Sequence, residues 1–133
     1  MRTYSGRSTA QRRLIAEEVP AMPHAFTAEE LVLAVRRHGS SVGVATVYRA
    51  LAAMAETGFV EVIGRRKGAA VYTHCRQVGH HHHVVCTSCG AVAETECELD
   101  EALRRFESSS GYRVTAHDLA LGGICPACSS KEA

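Results

Sequence analysis

Residues 27–73 read TAEELVLAVRRHGSSVGVATVYRALAAMAETGFVEVIGRRKGAAVYT. The opening Thr27-Ala28-Glu29-Glu30 is a capping-box signature. A hydroxyl accepts from the third helical N–H, and the glutamate three residues on returns a bond. Leu31, Val32 and Val35 supply an apolar helical face, and Gly39 stops it. Ser40, Ser41 and Gly43 form a short turn. The spacing predicts a further helix over Ala45–Glu56, with Val47, Leu51 and Met54 inward and Gly58 past its end. Phe59–Ile63 then alternates as a strand, Arg65-Arg66-Lys67-Gly68 turns, and Ala69–Thr73 returns as a second strand. Upstream, Thr9–Val19 carries Leu14, Ile15 and Val19 at helical spacing until Pro20 and Pro23 end it. Three helices followed by a hairpin is the winged helix-turn-helix pattern, with the third helix as the recognition helix.

The N-terminal part of that third helix presents Thr46, Tyr48 and Arg49. Hydroxyl, phenol and guanidinium groups suit phosphates and base edges, and arginine can grip guanine through two hydrogen bonds. Arg65 and Arg66, beside Lys67, would carry the hairpin tip over the phosphate backbone. The charge distribution agrees. A net +1 conceals eleven Lys+Arg against six Asp+Glu in residues 1–80, and four against eight in residues 81–133. A basic half joined to an acidic half suggests that the first meets a polyanion, which for a winged helix is double-stranded DNA, and that the second has a different task.

Beyond Gly79 the predicted elements are a strand over His80–Val85, another over Ala91–Cys97, a helix over Glu98–Ser109, and a last strand over Tyr112–Leu121. The expected fold class is α+β: a winged-helix DNA-binding domain over 1–75, a linking segment over 76–79, and a small α/β unit over 80–133. A unit of about fifty residues rarely holds itself together without a metal or an oligomer interface. Cys86-Thr87-Ser88-Cys89 and Cys125-Pro126-Ala127-Cys128 supply the staple, because two C-x-x-C turns complete a closed tetrahedral zinc site. A redox dithiol would need only one such pair.

His80-His81-His82-His83 is internal and runs into an apolar strand, unlike an appended tag. Alternation along a strand sends His80 and His82 to one face and His81 and His83 to the other, so one run can feed two metal sites. Cys75 and Glu61 on the wing, Glu101 on the helix and His117 on the last strand are candidate partners. A thiolate among them would favour zinc over iron or manganese. His24, His38 and His74 read as surface residues, and Cys97 as a small buried hydrophobe.

Val44–Leu51, the run His80–Gly90 and Cys125–Cys128 together resemble the Fur (ferric uptake regulator) family of bacterial metal-sensing repressors, over about Ser8–Cys128. Within it the chain is most similar to the zinc uptake regulators (Zur). The resemblance implies a cytoplasmic homodimer that binds operator DNA, with 76–79 as a hinge and 80–133 as the metal-binding dimerisation domain, and with structural zinc on Cys86, Cys89, Cys125 and Cys128. It further implies regulatory zinc at the hinge on Glu61, Cys75, His81 and His83, and a second regulatory zinc on His80, His82, Glu101 and His117. Iron and peroxide sensors of the family place a histidine before the residue equivalent to Phe26, where this chain has Ala25. They also place a carboxylate where it has Thr73. Both differences count against iron.

A nickel, iron or peroxide sensor of the same family is the nearest alternative, and a metal-dependent hydrolase a more distant one. A catalytic zinc keeps an open position, whereas both histidine sets supply four donors. No nucleophile elbow or phosphate loop is present, so no enzyme activity and no small-molecule substrate beyond metal ions are expected. No apolar run approaches the roughly 18 residues of a membrane helix, so the chain is expected to be soluble.

Overall fold

In the computed structural model, which describes residues 9–77 and 79–132, Thr9 caps helix α1 (Ala10–Glu18) by accepting from the Arg12 N–H. Val19–Ala21 continue as one 3₁₀ turn in which Pro20 needs no N–H donor. The capping box forms as the sequence predicts. Thr27 Oγ1 accepts from Glu30 N, and Glu30 Oε1 accepts from Thr27 N, each at 3.2 Å, at the start of α2 (Ala28–Arg36). Helix α3 spans Val44–Glu56 and buries Val47, Ala50, Leu51 and Met54.

Phe26–Thr27 form a two-residue strand, β1, which the sequence reading did not anticipate. It pairs with β3 (Ala69–His74), which pairs in turn with β2 (Val60–Arg66), giving the antiparallel order β1-β3-β2. Lys67 and Gly68 take positive φ at the hairpin tip, the conformation a tight turn requires. One contiguous cluster of buried apolar side chains, including Ile15, Leu31, Val35, Val47, Leu51, Met54 and Phe59, fills the space between helices and sheet. Leu14, expected on the apolar face, is 39% exposed, and Ile15 takes the inward position.

The second unit is a three-stranded sheet of order β5-β4-β6, from β4 (His82–Cys86), β5 (Val92–Thr95) and β6 (Ala120–Gly123). β4 pairs antiparallel with β5 and parallel with β6, and α4 (Asp100–Ser110) lies in the connection between them. A short helix, α5 (Pro126–Glu132), follows the second cysteine turn and was not predicted. The last strand is much shorter than the expected Tyr112–Leu121, because β4 offers β6 pairing only from His83 to Cys86. The winged helix and the small α/β unit make up the expected α+β fold. The first eight residues of the expected N-terminal domain, Val78 of the expected hinge, and Ala133 lie outside the described residues.

Candidate metal centres and DNA-facing surface

Cys86 ends β4, and Gly90 at positive φ closes the turn that brings Cys89 back beside it. The second turn docks alongside through Thr87 N donating to Gly123 O at 2.8 Å. Cys86, Cys89, Cys125 and Cys128 thereby place four sulfurs within 4.8 Å of one another. The Cys89–Cys125 sulfur separation is 3.7 Å, against about 3.8 Å for two thiolates on a tetrahedral zinc. The Cys125 and Cys89 N–H groups both donate to Cys86 Sγ at 3.4 Å and pull its thiol down to about 6. Ser88 favours the Cys128 thiolate, but Cys125, Cys89 and Cys86 outweigh it and push that thiol up to about 12. Four such sulfurs ionise together only around a cation, so the group fits zinc.

The second group bridges the two units. Glu61 lies on β2, Cys75 directly follows β3, His81 immediately precedes β4, and His83 is its second residue. The four offer donor atoms within 4.8 Å of one another. His81 Nδ1 lies 2.8 Å from Gly79 O, a carbonyl that can only accept, so Nδ1 carries the proton and Nε2 the lone pair. That Nε2 is buried and makes no hydrogen bond. His83 Nδ1 lies 2.8 Å from Glu61 Oε2, leaving its Nε2 facing Cys75 Sγ at 4.0 Å. Burial lowers the His83 pKa, although Glu61 opposes the shift, so the ring favours the neutral form that a metal requires. Two metal-ready Nε2 atoms beside a buried thiol fit zinc.

Glu94 on β5 is the residue the sequence reading missed. Its Oε1 lies 3.5 Å from His81 Nε2 and 3.7 Å from His83 Nε2, while accepting from Arg76 N at 2.7 Å. Glu61 thus approaches the opposite side of His83 from Glu94. Register was the available signal, since His83 pairs with Glu94 across β4 and β5.

On the other face, His80 Nε2 and His82 Nε2 lie 2.8 and 3.2 Å from His117 Nε2. The residue that joins them is Cys97, with Sγ 3.4 Å from His117 Nε2. Cys97 is half-buried, not packed away as a hydrophobe. Glu101 is not part of this group; it is exposed on α4 and its Oε1 accepts from Arg105 at 2.9 Å. His24 and His38 are exposed, and His38 pairs with Glu18 at 2.9 Å. His74, expected at the surface, is half-buried with its ring 4.7 Å from that of Phe59.

On α3, Tyr48 and Arg49 point away from the core. Tyr48 Oη donates to Glu29 at 3.2 Å, and Arg49 donates to Thr46 Oγ1 at 3.3 Å. At the wing, Arg65 donates to Gly68 O and Arg66 pairs with Glu30 at 2.7 Å. These five side chains keep their polar ends at the surface through short, exposed contacts that a phosphate could displace.

Fold and donor groups define the class: a winged-helix protein whose wing meets a cysteine- and histidine-rich metal-binding unit. The chain belongs to the Ferric uptake regulator family, whose model matches residues 4–122. It is 34% identical over 125 residues to the zinc uptake regulation protein of Mycobacterium tuberculosis strain H37Rv, covering 93% of this chain and 95% of that one. It is 35% identical over 130 residues to the transcriptional regulator FurA of Mycobacterium bovis, covering 97% and 87%. Among solved structures, a zinc uptake regulator complexed with zinc and DNA matches with a TM-score of 0.74 at 26% identity, covering 95% and 85%.

Proposed function

We propose that this protein is a zinc-dependent transcriptional repressor that works in the cytoplasm as a homodimer and controls zinc-uptake genes. The carrying observation is the group at the base of the wing, where Glu61 and Cys75 from the winged helix converge with His81 and His83 from the second unit. Glu94 adds a carboxylate on the Nε2 side. A ligand shifts a conformational equilibrium only through a difference in affinity between states. A donor set divided between two units supplies that difference, because it is complete only when wing and second unit are docked. The units are residues 1–75 and 80–133, with 76–79 as the hinge.

Cys75 favours zinc over iron or manganese, and the zinc uptake regulation protein among the relatives agrees. Cys86, Cys89, Cys125 and Cys128 hold a structural zinc, and His80, His82 and His117 contribute to a second regulatory zinc. Thr46, Tyr48 and Arg49 read operator DNA while Arg65 and Arg66 hold its backbone. A dimer spans two half-sites only when its recognition helices are spaced by about 34 Å or a multiple. Docking of the wing sets that spacing.

Electrophoretic mobility shift with added zinc and with a chelator tests this reading. Retarded operator DNA is expected only with zinc, and equal affinity in both conditions overturns it. Cys75→Ala is expected to retain the structural zinc and the melting temperature while weakening zinc-dependent binding by at least about tenfold.

A further inference from the structure

We propose that Cys97, and not Glu101, is the fourth donor of the second regulatory site, which is therefore a three-histidine, one-thiolate zinc site. The inference rests on the reading of His80, His82 and His117 as zinc ligands and changes the chemistry assigned to them.

Its basis is convergence on one point. His117 Nε2 lies 2.8 Å from His80 Nε2, 3.2 Å from His82 Nε2 and 3.4 Å from Cys97 Sγ. An imidazole nitrogen has one in-plane function, a proton or a lone pair, so it cannot satisfy three such neighbours by hydrogen bonding. A cation among the four atoms satisfies all of them. All four donors lie within 4.8 Å of one another. Tetrahedral zinc with bonds of about 2.0–2.1 Å to nitrogen and 2.3 Å to sulfur spaces its donors by about 3.3 Å (N···N) and 3.6 Å (N···S). The His82 and Cys97 contacts lie within about 0.2 Å of those values, and the His80 contact is about 0.5 Å shorter.

Backbone placement explains why the cysteine, rather than the glutamate, joins this group. Cys97 lies in the unpaired stretch between β5 and α4, free of both ladder and helix. Glu101 lies in the first turn of α4, where a carboxylate already has two favourable partners: the positive helix end and Arg105 four residues on. Its side chain is 75% exposed. A thiolate donor directs the site toward zinc or cobalt and away from manganese and iron. It also ties the start of α4 to β4 and to the segment that carries His117.

Cobalt(II) titration of the full-length chain, with the structural zinc retained and confirmed by metal analysis, tests the proposal. In a Cys75→Ser background the wing-base group contributes no sulfur. A thiolate-to-cobalt charge-transfer band in the near ultraviolet is then expected, from Cys97 alone. Adding Cys97→Ser should abolish that band and weaken cobalt binding at this site by at least about tenfold. Adding Glu101→Gln should leave both unchanged. With Cys75 intact, Cys97→Ser should roughly halve the total charge-transfer intensity, which guards against misfolding of the double variant. A band that survives Cys97→Ser, or binding lost with Glu101→Gln, overturns the assignment. If the Cys75→Ser chain binds no cobalt in this group, the second-site reading fails with it. Zinc-gated DNA binding, read separately by mobility shift, then still stands.

Discussion

Cys86 has a double role among the thiols. Its sulfur receives N–H bonds from both cysteine turns, from Cys89 and from Cys125, and so joins the two knuckles. It is also buried at the end of the central strand β4. Removing it takes away a proposed zinc ligand and the acceptor that joins the turns. Cys86→Ser is expected to lose one zinc per chain by metal analysis and to unfold the second unit at a lower temperature, followed by circular dichroism. Retention of full zinc content would exclude Cys86 as a ligand. Cys75→Ala should behave in the opposite way, because Cys75 has its backbone anchored by an N–H bond to Phe59 O and its sulfur in the wing-base group.

Helix α2 makes a different kind of claim, since its start is determined locally. Thr27 and Glu30 satisfy each other's backbone N–H groups, and Glu30 Oε1 also accepts from the wing residue Arg66 at 2.7 Å. Thr27→Ala is expected to cost about 1 kcal/mol of stability in denaturant melts. A change within ±0.3 kcal/mol would mean that tertiary packing alone fixes this end. The local character of the cap explains why α2 and the wing hairpin were legible from residue order. Elements that depend on a distant partner were not. β1 is a strand only because Phe26 and Thr27 pair with Tyr72 and Val71. β6 is short because its ladder is limited by β4. α5 is polar and has no apolar face by which to recognise it. The two histidine faces followed from strand alternation, and the rings meet edge to face in those pairs, His80 with His82 and His81 with His83. Cys97 was illegible because its place comes from where a loop lies, and Glu94 could be found only through the pairing register of β4 with β5.

At the scale of the whole molecule, the two units differ in what holds them. The apolar core cluster runs from Ile15 to Tyr72, all within the winged helix. Helix α4 buries none of its residues, and Phe106, Tyr112, Leu121 and Ile124 are 61, 77, 46 and 45% exposed. A sheet of four- and five-residue strands with an uncovered helix does not bury enough apolar surface to offset the entropy of ordering it. In the proposed zinc-bound homodimer, zinc supplies part of the remainder and a second copy of the chain supplies the rest by covering these side chains. Phe106→Glu places a charge on α4 where the partner would desolvate it. The variant is expected to sediment as a monomer at concentrations where the unaltered chain is a dimer. It should keep the structural zinc and the helical circular dichroism of the winged helix. Its operator affinity should fall steeply even in zinc, because one recognition helix reads only one half-site. A Phe106→Glu chain that sediments as a dimer and binds DNA normally would show that the copies meet elsewhere.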